Sequence, residues 1–122
     1  MAHQIKIKTL AEVETLFQAG QILASIIKEL SSSLKSGMTS GQIDVLAQQL
    51  MDDRHVKPAF KGYRGFPGCV CVSVNEEVVH GIPGNRVIRD GDIVSVDAGV
   101  IYQEFYSDMA VTVGIGDIEP AR

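Results

Sequence analysis

The hydrophobic pattern of this chain changes once, from a helical period to a strand period, and this change constrains its fold most. Before Pro58, apolar residues recur at three- and four-residue steps in two segments, which begin with capping-box patterns at Thr9 and Thr39. After Pro58, small or polar residues alternate with valines, which is typical of half-buried strands. Helices followed by strands predict an α+β domain with two helices packed on an antiparallel sheet.

The size and charge of the chain narrow its function class. Its 122 residues are enough for one domain, with strands predicted at 69–74, 93–101 and 105–113. A net charge of -4 with scattered Lys and Arg argues against a nucleic-acid or anionic-membrane partner. No apolar stretch approaches the roughly 20 residues that span a bilayer. The first residues lack the apolar segment and cleavage site of a secretory signal, so we expect a cytoplasmic protein.

The two cysteines, Cys69 and Cys71, are two residues apart in a predicted strand. This spacing predicts that both thiols lie on one face of that strand. A disulfide between such neighbours is sterically poor, so we expect both to be free, as is usual in a reducing cytosol.

Two aspartates fall in the last two predicted strands. A hairpin turning about Tyr102 and Gln103 would set Asp97 directly opposite Asp108 on one face, while the other face is apolar throughout. Opposed residues have Cβ atoms about 4.5–5.5 Å apart, where like charges are destabilising. Strand geometry leaves three outcomes open: one carboxyl keeps a proton, a divalent cation lies between the two, or both splay into solvent.

Successive motifs in the second half of the chain resemble those of type I methionine aminopeptidases. They are NEEVVHGIP at 75–83, DGDIVSVD at 90–97 and SDMAVTV at 107–113, with GYRGFP at 62–67 further upstream. The resemblance extends over essentially the whole chain. It implies the pita-bread fold of the creatinase/aminopeptidase family, of which this chain would form the N-terminal half.

The resemblance also implies a catalytic centre. Asp97 and Asp108 match two metal ligands of the family, and His80 matches the histidine that binds substrate and stabilises the tetrahedral intermediate. The implied cofactor is a pair of divalent metal ions, of which Co, Mn, Fe and Zn all suit such ligands. Sites with two metals activate the attacking and leaving oxygens of hydrolytic reactions. The implied substrates are the N-terminal methionine residues of nascent proteins.

Three further positions match residues that line the methionine side-chain pocket in the family: Tyr63, Phe66 and Cys71. Plain core packing is an alternative for each of them, because aromatic residues and thiols bury readily. Phe60 departs from the family, where a small residue or cysteine is common. The rim of the pocket is therefore expected to differ in this chain.

The remaining ligands of the family, a histidine and two glutamates, belong to a second half that these 122 residues do not include. We therefore expect residues 1–122 to be the N-terminal half of a single aminopeptidase domain, in which two carboxylates alone hold metal weakly. Two alternatives stay open. One is a half-enzyme completed by another chain or by a second copy, and the other is an inactive interaction module.

Overall fold

A computed structural model describes residues 9–61, 68–75 and 83–116. The predicted order of helices before strands is confirmed. Its elements are α1 (Leu10–Ser33), α2 (Ser40–Asp53), β1 (Lys57–Pro58), β2 (Val70–Val74), β3 (Ile93–Tyr102) and β4 (Phe105–Gly114). β1 is the element that periodicity does not predict, because two residues show no period.

Both helices begin where the capping patterns place them. The Thr9 hydroxyl accepts from the Glu12 amide at 3.1 Å, and the Glu12 carboxylate accepts from the Thr9 amide at 2.8 Å. Thr39 and Gln42 repeat the same reciprocal pair at the start of α2. Each box satisfies backbone donors that have no partner within the helix.

The buried face of α1 covers only part of its apolar pattern. Val13 and Phe17 are 50% and 61% exposed. The buried residues of the helix are Ala19, Leu23, Ile26, Ile27 and Leu30. Full burial of side chains in α1 thus begins at its third turn.

β3 is the centre of the sheet. β4 pairs with it along its full length, while β2 and β1 share the opposite edge, β2 at 94–98 and β1 at 100–101. All pairs are antiparallel, as predicted. The helices pack on the face that carries alternate, fully buried residues of β3: Val94, Val96, Ala98 and Val100. The opposite face of the sheet carries polar side chains, among them Ser95, Asp97 and Asp108.

The hairpin between β3 and β4 turns one residue later than predicted. Its turn residues are Gln103 and Glu104, with Tyr102 and Phe105 as the closing pair. Both turn residues have positive φ, +48° and +71°. Two consecutive residues of this conformation form the mirror-image turn whose twist matches that of the flanking strands. The predicted pairing is therefore wrong by two residues.

Because Gln and Glu are strained in the left-handed region, changing both turn residues to the Asn-Gly pair should stabilise the chain. We expect Gln103→Asn with Glu104→Gly to raise the free energy of unfolding by about 1 kcal/mol. Urea unfolding followed by circular dichroism measures this change. An unchanged or lowered midpoint would show that the turn is not strained.

Side-chain hydrogen bonds connect the end of β2 to the start of β3. The Asn75 side chain donates to Asp92 at 3.0 Å and accepts from the Ile93 amide at 2.9 Å. The second oxygen of Asp92 accepts from the Arg89 amide at 2.9 Å. The hydrogen bonds from Asn75 and Arg89 lower the pKa of the Asp92 carboxyl below its ordinary value of 3.8.

The lowered pKa of Asp92 predicts a pH dependence of stability. A carboxyl with a depressed folded pKa stabilises the protein above its unfolded pKa, and this stabilisation is lost as the pH falls through the folded value. From pH 6 to pH 3, the wild-type urea midpoint should therefore fall further than that of Asp92→Asn. Equal falls in the two proteins would contradict this assignment.

Candidate metal site

The candidate site lies on the sheet face that points away from the helices. There Cys71 of β2, Asp97 of β3 and Ala110 of β4 form one cross-strand row. Gly99 and Asp108 form the next row, two residues along. Side chains two residues apart on a strand share a face, so Cys71, Asp97 and Asp108 face the same space.

The predicted direct opposition of Asp97 and Asp108 is wrong. In the observed register Asp97 lies opposite Ala110, and Asp108 lies opposite Gly99. The cause is the later turn, which slips the pairing by two residues. Since a slip of two keeps every side chain on its face, the carboxylates remain diagonal neighbours, with Cα atoms about 7–8 Å apart. This spacing relieves the repulsion expected of an opposed pair and leaves room between the two groups.

The two carboxylates differ in their surroundings. Asp97 is half-buried, with its Oδ1 atom buried, whereas Asp108 is exposed. The pKa of the Cys71 thiol is raised above its ordinary value. Burial is the largest cause, and the negative charges of Asp97 and Asp108 add to it. The thiol therefore stays protonated at neutral pH. The two carboxylates offer hard oxygen atoms, which suit several divalent cations.

The ring of Phe60 packs on the same sheet face as these carboxylates. A Cβ atom at position 99 would lie 2.9 Å from Cε1 of Phe60 and 3.1 Å from the Cβ of Ala59, so only glycine fits beneath the ring. The Ala59 amide also donates to the Gly99 carbonyl at 2.9 Å. Phe60 thus lies over Gly99, whose pairing partner on β4 is Asp108. Sequence reasoning missed this contact, although a glycine inside a strand is a signal of close approach.

A row of hydroxyl groups continues the polar face on the other side of Asp97. Ser73 and Ser95 are paired across β2 and β3, and the hydroxyls of Ser95 and Thr112 are hydrogen-bonded at 3.0 Å. Within 9–61, 68–75 and 83–116, no group of three or more His, Cys, Asp or Glu side chains is arranged to hold a metal ion. The described residues thus supply two carboxylates and no complete ligand set.

Cys69 does not share the face of Cys71, so that prediction is wrong. Cys69 lies one residue before β2, is fully buried, and its thiol donates to the Gln48 side chain of α2 at 2.7 Å. Chiefly because of this burial, its pKa is raised to about 11. Both cysteines are free, as predicted.

The other predicted site residues, Tyr63, Phe66 and His80, lie outside the described residues. Their predicted roles stay predictions. Of the six predicted site residues, the structure thus brings together the three that it describes.

An open cleft of about 550 Å³ lies elsewhere, between the end of α1 and the start of α2. It is lined by residues of these helices and their connection: Ser32, Ser33, Leu34, Lys35, Met38, Gln42 and Leu46. It contains no carboxylate, and the helices separate it from the carboxylate face.

Among the described helices, none is long and apolar enough to cross a bilayer.

Sequence comparison finds relatives that are about twice as long as this chain. The chain is 43% identical over 116 residues to a methionine aminopeptidase of Borreliella burgdorferi, covering 95% of this chain and 46% of that protein. It is 43% identical over 111 residues to methionine aminopeptidase 1 of Bacillus subtilis, covering 91% and 45%. The chain therefore spans about half the length of the curated relatives it matches.

Solved structures agree with the sequence relatives. A methionine aminopeptidase of Thermotoga maritima superposes with a TM-score of 0.84 at 45% identity, over 93% of this chain and 47% of the other. That of Rickettsia prowazekii gives a TM-score of 0.90 at 30% identity, over 95% and 47%. An X-Pro aminopeptidase of Thermotoga maritima, at 24% identity and a TM-score of 0.76, shares the fold. The expected pita-bread fold is thereby confirmed.

The sequence also matches a protein family over residues 14–122, which is nearly its whole length. The family is described as one of metallopeptidases, and carboxylates are a type of side chain that binds divalent metal ions. The chain belongs to metallopeptidase family M24.

Proposed function

We propose that this chain supplies the N-terminal half of the catalytic domain of a methionyl aminopeptidase, which removes N-terminal methionine from nascent proteins. The observation that carries the proposal is the placement of Asp97 and Asp108 on adjacent rows of one sheet face. Relatives named methionine aminopeptidases, at 43% identity, support the choice of substrate. Its two free thiols are consistent with the cytoplasm as its location.

Asp97 and Asp108 would hold two divalent metal ions. The fit rests on their oxygen chemistry, their shared face and the room left by the diagonal spacing. Metal ions bound there supply Lewis-acid activation of a water molecule and of the scissile carbonyl. Mn, Co, Fe and Zn all suit such ligands, so the ligand types do not select one of them.

The other predicted residues would act on the substrate. We assign His80 to hydrogen bonding with the scissile group, where a neutral imidazole stabilises developing charge. Tyr63, Phe66 and Cys71 would line the pocket for the methionine side chain. Cys71 supports this assignment, because its half-buried, protonated thiol lies opposite Asp97 and offers a soft, uncharged surface to a thioether.

Completion of the site requires ligands from another half-domain. We propose that residues 1–122 form one half, because the chain covers 45–47% of its methionine aminopeptidase relatives. A second copy of this chain is the alternative source of ligands. An inactive interaction module is a weaker alternative, because such a protein needs neither Asp97 nor Asp108.

A chimera tests the proposal most sharply. Residues 1–122 would be fused to the second half of the Thermotoga maritima relative, which is 45% identical over the shared part. With added Mn²⁺, the chimera should release methionine from a Met-Ala-Ser peptide, and the chain alone should not. Release by the chain alone, with a dimer seen by light scattering, would favour the second copy.

The opposite result is equally informative. A folded chimera that binds no Mn²⁺ and releases no methionine would exclude the proposed enzyme. The Thermotoga maritima protein itself, assayed in parallel, provides the positive control for peptide and metal.

A further inference from the structure

A carboxylate of α2 holds the start of β2. Oδ1 of Asp44 accepts hydrogen bonds from two successive amides, that of Cys69 at 2.6 Å and that of Val70 at 3.1 Å. Hydrogen bonds to an ionised acceptor are shorter and stronger than those between neutral groups. Asp44 is half-buried, so water competes only partly for these amides.

The approach of this carboxylate crowds the Cβ position of the preceding residue. A Cβ atom at Gly68 would lie 3.0 Å from Oδ1 of Asp44 and 3.0 Å from Cγ of Pro83. A side chain at this position would therefore have to push the Asp44 carboxylate or the Pro83 ring aside. Asp44 and Gly68 form a matched pair at the entry to β2.

A second contact from the same helix face ties down the Cys69 side chain. Gln48, one turn after Asp44, accepts from the Cys69 thiol at 2.7 Å and donates its own amide to Asp52 at 3.0 Å. Asp52 thereby orients the Gln48 amide so that its oxygen faces the thiol. The backbone and side chain of Cys69 are both held by α2.

These contacts matter because β2 is a short strand with one described partner. Its five residues pair with β3, and in the described part of the chain no other strand borders it. Cys71, which shares a row with Asp97, directly follows Val70, the second residue whose amide Asp44 holds. A loose start of β2 would therefore displace Cys71 as well.

We propose that Asp44 is a positioning residue for the carboxylate face, which acts by fixing the start of β2 so that Cys71 stays opposite Asp97. The role of Cys71 in substrate binding rests on the proposed function, but the positioning itself does not. The matched variants are Asp44→Ala, which removes the acceptor, and Asp44→Asn, which retains an acceptor oxygen of the same reach. Asp53→Ala, at an exposed position of the same helix, is the control.

The experiment measures hydrogen exchange of single amides and iodoacetamide labelling of Cys71 at one fixed pH, with the label located by fragmentation in a mass spectrometer. Loss of a charge-assisted hydrogen bond should speed exchange of the Cys69 and Val70 amides by about ten- to a hundredfold in Asp44→Ala. Cys71 should be labelled several times faster than in wild type, whereas amides of α1 and β4 keep their rates. Asp53→Ala should resemble wild type, and Asp44→Asn should lie between wild type and Asp44→Ala, because it keeps an acceptor oxygen without the charge.

Wild-type rates in Asp44→Ala would overturn the proposal. Equal acceleration throughout the sheet would also overturn it, because that pattern indicates general destabilisation, and so would Asp44→Asn behaving like Asp44→Ala. If Asp44→Ala does not fold, Gly68→Ala strains the same contact and should produce the same local acceleration. None of these measurements needs metal or substrate, so a chimera without activity would count against the proposed function alone.

Discussion

Asp97→Asn in the chimeric enzyme is expected to lower kcat/KM for the Met-Ala-Ser peptide by at least about a thousandfold. The amide has the shape of the carboxylate but no charge, so it removes the proposed metal ligand without changing the shape of the side chain. Metal ions contribute several kcal/mol of charge stabilisation to the transition state of such hydrolyses, and each 1.4 kcal/mol is a factor of about ten. Peptide hydrolysis measures the rate, and calorimetric titration with Mn²⁺ measures the loss of binding.

The matched control is Asp53→Asn, which makes the same chemical change at the exposed end of α2. It should retain activity and metal affinity. Asp108→Asn should behave like Asp97→Asn, since both carboxylates serve one site. An Asp97→Asn enzyme that binds Mn²⁺ and turns over normally would remove Asp97 from the ligand set.

Gly99→Ala is the second substitution with a large expected effect. The added methyl group would lie 2.9 Å from the Phe60 ring and 3.1 Å from the Ala59 Cβ, so ring and backbone must both move. Overpacking of this kind typically costs about 1–3 kcal/mol of folding free energy. Urea unfolding of the isolated chain measures this cost directly.

A double substitution identifies the cause. Phe60→Ala empties the space above position 99, so Gly99→Ala should be much less destabilising in that background. Gly84→Ala is the control, because a Cβ there meets nothing within 4 Å and should change stability by less than about 0.5 kcal/mol. If Gly99→Ala lowers the free energy of unfolding equally in the wild-type and Phe60→Ala backgrounds, the strain lies in the strand and not in the contact with Phe60.

Local chemistry made much of the fold predictable. The capping boxes at Thr9 and Thr39 place both helix starts, since their partners are three residues away in sequence. The alternation of valines assigns each β3 side chain to a face, because a strand has a fixed period of two. The shared face of Asp97 and Asp108 followed from that period. The prediction stayed correct although the register was wrong, because a slip of two residues keeps each side chain on its face.

Features set by unusual backbone conformations or by distant parts of the chain were not predictable. The slip of two residues depends on strained conformations at Gln103 and Glu104, which neither residue type favours. The exposure of Phe17 depends on what packs against α1, which the apolar pattern of the helix does not specify. The contact of Asp44 with the start of β2 joins residues 25 apart, and nothing in the sequence around Asp44 distinguishes it from an ordinary helix carboxylate.

The central position of β3 has a consequence for how a nascent chain folds on the ribosome. Every other described strand pairs with β3, which occupies residues 93–102. Until those residues emerge, β1 and β2 have no described strand to pair with, and the apolar faces of α1 and α2 have no sheet to cover them. The β3–β4 hairpin closes the shortest loop and is the least costly pairing in chain entropy. Assembly of the described elements should therefore begin with the β3–β4 hairpin and recruit the earlier segments afterwards.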